Sequence, residues 1–472
     1  MSVRINRSLL SNEQKERIRK ELVLQPEQVG FFKKKRFVQA KDPVQMWSLD
    51  KPNNEVVVPY TFGNMIMGTH VNSKLSYPGS IFNFFATLRP HQPSIINEAL
   101  EQLIKWGTTL LAVYPGAGKT LMSAYLASVL GGLTLVVYPI KVVETSWFNT
   151  FKDYTNAKIW LNDGTGNIPQ CCNIILTMDT QFHKIPHAIL KMVRILVIDE
   201  AHMFCVPSRI QCLLGTTPQY VIACTATPKR SDGMQKILYS ICGEHGVFRK
   251  SPTPFAVYCL RTGIKTEIVV NKGGDPDWSK LVKDLCEDPL RNAYIVDLVI
   301  KNHQHKIMIL TWNKSHAKFL YEVLLKNNVS VDFLIGNKKS YHDSRVLIGT
   351  IQKIGTGFDE QTFAEDWSGQ NSNMMILTGS TKSLSGLEQI VGRIFRVDFP
   401  TVIDLVDDNA ICKRHWSERK KWYEDEERNG KIHYIDMIPT SENNGDEENS
   451  LIKDIQAKFL TKNIKITKKE NN

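Results

Sequence analysis

No apolar run in this sequence approaches about 20 residues, the length a helix needs to cross a bilayer. The longest, such as Leu133 to Ile140, are of strand length. Met1 to Gln14 hold no apolar stretch of the kind a secretory signal needs. Cysteine is thinly spread: the nine residues are scattered and no two stand as C-x-x-C. Neither a zinc site nor a disulfide framework is therefore expected, and the thiols read as free in a reducing compartment. Adjacent Cys171 and Cys172 stand where a buried strand is expected to begin. Apolar residues make up 42% and charged residues 23%, so nothing is skewed toward disorder or a fibre. The expectation is a folded chain with no membrane partner.

The 472 residues allow two to four domains at about 100–200 residues each. Lys and Arg number 59 against 48 Asp and Glu, a formal charge of +11. Residues 1–50 hold 11 basic against 6 acidic side chains, including the run Lys33-Lys34-Lys35-Arg36. A positive excess suits a polyanionic partner, although most charged runs are solvated surface.

Residues 1–85 carry short β-like pieces such as Glu55 to Tyr60 and read as an N-terminal accessory region. From residue 86 helical stretches alternate with runs of Val, Ile and Leu. Strands are expected at Thr108 to Val113, Leu133 to Tyr138, Asn173 to Thr177, Ile195 to Asp199 and Tyr220 to Cys224. A helix is expected over Ser94 to Trp106, with Ile95, Ala99 and Leu103 on one face. Continuous apolar strands between helices mean a parallel sheet covered on both faces. Pro252, Pro254, Gly263, Gly273, Gly274 and Pro276 mark 251–276 as an expected connector. A second series follows at Lys306 to Trp312, Val329 to Ile335, Arg345 to Thr350, Asn373 to Leu377 and Thr401 to Val406. The fold class is therefore α/β, with one sheet in 86–250 and another in 251–412. Residues 413–472 read as a charged, partly flexible C-terminal extension. In it Trp416 and Trp422 stand among Lys413, Arg414, Arg419, Lys420 and Lys421, either packing a helix or stacking on a strand of nucleic acid. Leu451, Ile455 and Phe459 fall at helical spacing near the end.

Three motifs carry chemistry. Pro115-Gly116-Ala117-Gly118-Lys119-Thr120 joins a strand to a helix, as a phosphate cradle requires: glycines turn backbone N–H groups inward and the helix start adds positive charge. Lys119 would reach the outer phosphates and Thr120 would sit on Mg²⁺. The strict spacing asks for glycine where this chain has Val113. Val197-Ile198-Asp199-Glu200-Ala201-His202 ends a strand in paired acids, one to hold Mg²⁺ through water and one to polarise an attacking water. Gln389, Arg393 and Arg396 fall on one face of an expected helix and could neutralise a transferring phosphoryl group.

Together these residues resemble the superfamily-2 helicases and nucleic-acid translocases. Asp199 to His202 matches the DEAH box, and Gln389 to Arg396 the Q-x-x-G-R-x-x-R motif. Leu88-Arg89-Pro90-His91-Gln92 resembles the upstream element whose glutamine reads adenine. Val137-Tyr138-Pro139 resembles motif Ia, and Thr225-Ala226-Thr227-Pro228 resembles motif III. Thr350 with Gly355-Thr356-Gly357-Phe358-Asp359 resembles motif V.

The resemblance implies two tandem RecA-like domains with ATP and Mg²⁺ as cofactors. Gln92, Pro115 to Thr120, Gly357 and Asp359 would bind nucleotide, and Thr120 and Asp199 the metal. Lys119, Asp199, Glu200, Gln389, Arg393 and Arg396 would carry the chemistry. His202, Thr225 and Thr227 would couple it to movement. Pro139, Thr177, Thr311, Thr350 and Thr356 would grip nucleic acid, DNA ahead of RNA, mainly at phosphates.

Gly-Arg-Ile-Phe-Arg departs from the pattern of the splicing-type DEAH-box RNA helicases and is similar to the duplex-DNA translocase branch. The whole is most similar to helicases of large cytoplasmic DNA viruses, of the poxviral transcript-release and African-swine-fever types. That implies transcription machinery as a partner, and the cytoplasm, virion or viral factory as the location. The alternatives are an RNA helicase, a binding factor without turnover, and another phosphate-loop enzyme. A kinase or GTPase would not need a second α/β domain ending in Gln389 to Arg396.

Overall fold

The computed structural model describes residues 1–25 and 42–437, apart from 170, 227, 229–232, 272, 356, 426, 427 and 429. The basic run Lys33 to Arg36 and the spaced Leu451, Ile455 and Phe459 lie outside the described residues. The chain divides into two compact units after Arg249.

The first unit is built on a seven-stranded sheet in the order Val247–Arg249, Thr108–Val113, Tyr220–Cys224, Ile195–Ile198, Thr134–Tyr138, Ile174–Met178, Ile159–Leu161. Every pairing in it is parallel. Its central strands are buried along nearly their whole length because both faces are covered. Leu111, Val113, Val136, Tyr138 and Val197 pack with Ile95, Ala99, Leu103, Met122, Trp147 and Phe151 from the helices Gln92–Trp106, Lys119–Leu130 and Val142–Tyr154.

The opposite face, with Leu110, Ala112, Leu135, Val137, Leu196 and Ile198, packs in one core with Met1, Val3, Ile5, Val56, Val58 and Tyr60. These last residues come from a three-stranded antiparallel sheet of Ser2–Asn6, Glu55–Pro59 and Ser48–Asp50 and from the helix Tyr60–Met67. The segment read as accessory thus supplies part of the first unit's core. Its docking is tight at Gly63, where an added Cβ would stand 1.9 Å from Val3 Cγ2 and 2.8 Å from Val58 Cγ2. Gly63→Ala is expected to destabilise the first unit by about 1–3 kcal/mol through overpacking. A fall in its thermal midpoint would show this, and an unchanged midpoint would mean the N-terminal sheet moves aside at little cost.

The second unit has a seven-stranded parallel sheet in the order Val331–Leu334, Val346–Thr350, Ile307–Thr311, Met374–Leu377, Thr401–Val406, Phe255–Arg261, Gly430–Asp436. Two cores cover it, one with Tyr294, Leu298, Ala317 and Leu320, the other with Ile354, Leu387, Ile390, Trp422 and Tyr423.

Each expected strand is present, within two residues at its ends. Two expectations need correction. The region read as a connector holds Phe255–Arg261, an interior strand of the second sheet: Pro252 and Pro254 precede it and Gly263 follows, so they bound a strand rather than replace it. The region read as an extension from 413 is also built in. The helix Ala410–Tyr423 crosses that boundary, and Gly430–Asp436 forms the sheet's edge. Trp422 is 5% exposed and packs in the core, so the tryptophans pack this helix onto its own sheet. Its charges are not all in water, because Arg419 is fully buried.

Candidate functional site

Parallel sheets place ligand-binding loops beyond the carboxyl ends of their strands. Three neighbouring strands of the first unit end in the residues that the sequence singles out. Thr108–Val113 leads into the phosphate loop, Ile195–Ile198 into Asp199 and Glu200, and Tyr220–Cys224, between them, into Thr225.

The loop turns through left-handed backbone at Gly116, φ 88°, and Gly118, φ 91°, before the helix Lys119–Leu130 begins. Gly118 is also closed on by Gln92, whose Nε2 would lie 2.4 Å from an added Cβ. Lys119 donates to the carbonyl of Val113 at 3.0 Å, the residue that stands where the strict pattern has glycine. Gln92 is fully buried; its amide donates to Ala117 O at 2.9 Å and accepts from Arg89 N at 2.9 Å. Arg89 adds a bond to Gly116 O at 3.2 Å. The Leu88 to Gln92 element therefore braces the phosphate loop from behind.

Asp199 is 9% exposed, and its two oxygens accept separate donors: Oδ2 takes the Trp147 indole N–H at 2.8 Å and Oδ1 the Glu200 backbone N–H at 3.0 Å. Burial pushes its carboxyl up to about 6, with the charge of Glu200 adding to the rise and the Trp147 N–H and Lys119 opposing it. Glu200 has φ 46° and ψ 50°, left-handed backbone that a non-glycine residue adopts at a cost. Its Oε2 lies 3.5 Å from His202 Nδ1, which in turn lies 2.9 Å from Thr225 Oγ1. Asp199, Glu200, His202 and Thr225 are thus one connected cluster. Thr120 lies in the first turn of the helix after the loop. Hydroxyl and carboxylate oxygens of this kind suit a hard cation that keeps most of its water, as Mg²⁺ does.

In the second unit the expected helix under Gln389, Arg393 and Arg396 is shorter than its motif. It runs Leu384–Val391, and the chain turns at Gly392. Gln389 is helical, while Arg393 and Arg396 lie in the turns beyond it, so they do not share a helical face. Arg393 bonds the carbonyls of Phe358 and Gly355, both at 2.7 Å. Arg396 pairs with Asp359 at 2.5 Å, and Asp359 Oδ1 caps the next helical turn by accepting from Thr362 N at 3.1 Å. Burial would raise the Asp359 carboxyl, but the Arg396 charge and these hydrogen bonds hold it below the usual carboxylate range. Gly357, with φ 71°, lies in the same loop.

Of the residues expected to grip nucleic acid, Pro139, Thr177, Thr311 and Thr350 are all buried. Thr177 is fully enclosed and accepts from Asn162 Nδ2 at 2.9 Å, and Thr311 Oγ1 donates to Asn313 O at 3.2 Å. Their side chains are enclosed here, and a grip on nucleic acid at these positions is a matter for the loops they open. Thr227 and Thr356 lie outside the described residues. Trp147 is the residue that sequence reasoning missed. It falls 52 positions before Asp199, and its one local sign is an aromatic with a polar handle on a helix's buried face.

Residues 85–230 match the family model described as "Type III restriction enzyme, res subunit". A protein of Invertebrate iridescent virus 6 named as a helicase is 26% identical over 402 residues, 79% of this chain and 88% of that one. A protein of Acanthamoeba polyphaga mimivirus named as an ATP-dependent RNA helicase is 23% identical over 457 residues, 91% of this chain and 85% of that one. The solved structure of S. cerevisiae Dbp5 bound to RNA and ADP BeF3 is 13% identical, with a TM-score of 0.50 over 78% of this chain and 97% of that one. That structural likeness bears on the fold, two α/β units of the RecA-like kind. With motifs in helicase order and helicase-named viral relatives along most of its length, the chain is similar to the superfamily-2 helicases, those of large DNA viruses among them.

Proposed function

We propose that this helicase hydrolyses ATP and uses the cycle to move along nucleic acid, DNA ahead of RNA. One observation carries the reading: the phosphate loop, the buried acid pair and Thr225 end three adjacent strands of one parallel sheet. In this proposal the loop's backbone N–H groups and Lys119 bind the phosphates, and Thr120 and Asp199 hold Mg²⁺. The ion supplies charge neutralisation on the phosphates. Glu200, held in its turn, accepts the proton of the attacking water. His202 and Thr225 carry the state of the acid pair to the neighbouring strand. Movement without sequence reading fits contacts made mainly to phosphates. Viral transcription is the setting this reading adds, supported by the viral company of the relatives.

We assign Arg396, rather than Arg393, to act on phosphate. Its pair with Asp359 is a quarter to a third exposed, and such a pair exchanges readily. Arg393 bonds buried backbone and braces the Gly355 to Asp359 loop. Arg396→Ala should therefore lower kcat by about 10³-fold or more while nucleotide affinity changes little. Steady-state hydrolysis beside equilibrium binding of a fluorescent ATP analogue would show this, and equal losses in binding and turnover would remove Arg396 from the transition state.

Hydrolysis measured with single-stranded DNA, duplex DNA and RNA side by side tests the whole reading. Stimulation by DNA above RNA supports it. Stimulation by RNA alone would favour the second reading, an RNA helicase, which the mimiviral relative's name supports. No stimulation by any of the three would leave a nucleotide-binding factor.

A further inference from the structure

We infer that Trp147 is a positioning residue for Asp199, so that its indole N–H sets how the acid presents itself to the metal. The inference rests on the proposed role of Asp199 in holding Mg²⁺. Trp147 belongs to the helix Val142–Tyr154, not to the loop that carries the acids. It is 1% exposed, and its Nε1–H reaches Asp199 Oδ2 at 2.8 Å. Phe151, one turn further on, stacks with the indole at 6.1 Å and 26° and holds its plane.

A carboxylate in a buried site rotates about its last bond unless both oxygens are engaged. Here one oxygen is fixed locally, by Glu200 N at 3.0 Å, and the other from a separate element, by Trp147. The rotation is thereby stopped, and the lone pairs left over point in set directions. An indole N–H is suited to this task. It satisfies the oxygen without bringing a positive charge, so the acid keeps its full negative charge for a cation. A lysine or arginine in the same place would compete with the metal. Outer partners of this kind change metal affinity or activity by about 10–100-fold when removed.

The test uses the full chain and Mn²⁺ in place of Mg²⁺, with ADP present, and reads bound metal by electron paramagnetic resonance. Trp147→Phe keeps the ring that stacks on Phe151 and loses the donor. Its Mn²⁺ affinity should fall about 10-fold, and kcat should fall by a similar factor, while KM for ATP stays within about 2-fold. A folded Trp147→Phe protein with unchanged Mn²⁺ affinity and kcat would overturn the inference and leave Trp147 as core packing. Should that variant fail to fold, replacing the indole by benzothiophene, which exchanges only N–H for sulfur, decides the same question by the same readout. Wild-type protein that binds no Mn²⁺ with ADP would defeat the proposed site itself. Wild-type binding matched by the variant defeats the role of Trp147 alone.

Discussion

Glu200→Gln should bind nucleotide and fail to turn it over, with kcat reduced by about 10²–10⁴-fold. Glutamine keeps the shape of the side chain and its length, so the left-handed turn at residue 200 and the approach to His202 are preserved. What it loses is the ability to take a proton. It also removes a negative charge next to Asp199, one of the causes that push that acid up, so the carboxylate proposed to hold the metal becomes easier to ionise. Nucleotide and metal affinity should therefore be kept or improved while hydrolysis stops. Binding of a fluorescent ATP analogue together with phosphate release separates the two effects. Near-wild-type phosphate release would remove Glu200 from the role of base.

The second large effect is on stability. Arg419→Met should destabilise the second unit by about 3–5 kcal/mol, because it leaves a buried carboxylate without its cation. Arg419 and Asp404 are both fully buried and meet in a two-pronged pair, Nε to Oδ2 and Nη2 to Oδ1, both at 2.8 Å. Tyr423 adds an O–H to Asp404 Oδ2 at 2.9 Å. The remaining nitrogen of Arg419 reaches Ser380 Oγ at 3.2 Å and Thr381 O at 2.9 Å, in the loop that precedes the helix of Gln389. Denaturant unfolding would show the loss. Adding Asp404→Asn to Arg419→Met should recover a large part of it, since the buried charge is then gone and Tyr423 keeps its acceptor. A double variant no more stable than the single one would mean that packing, not charge, sets the cost.

Most strands that could be read from the sequence were those buried on both faces, since Leu110-Leu111-Ala112-Val113 or Ile195 to Ile198 admit no polar residue. Of the four edge strands of the two large sheets, Val331–Leu334 was legible and the other three were not. Ile159–Leu161 and Val247–Arg249 have three residues each, too short for a period. Gly430–Asp436 alternates polar and apolar residues on a half-buried edge, and its register comes from Phe255–Arg261, far away in sequence. The phosphate loop and acid pair were legible because each sits at a strand's end. The shortened helix at Gln389 was not: the turns of Arg393 are set by carbonyls at Gly355 and Phe358, which helical spacing cannot know. Nor was the burial of Thr177, Thr311 and Thr350 legible, because a motif does not say which way a hydroxyl faces. The burial of Arg419 was not legible either, since its partner Asp404 lies on a strand and the pairing exists only after packing.

The edge strand Gly430–Asp436 dictates how this molecule can be taken apart. Fragments cut after Arg249 respect the natural division. A second-unit fragment ending at residue 412, the boundary expected from the sequence, would strip this strand from Phe255–Arg261. It would also remove Arg419 from beside Asp404. The bared strand carries Phe255, Val257, Cys259 and Leu260, each at most 3% exposed in the whole unit. A long row of unpaired N–H and C=O groups flanked by such side chains is a template for another copy. Such a piece would come out of the cell as an aggregate, and its silence in an assay would say nothing about chemistry. Expression of the second unit alone has to run at least through Met437.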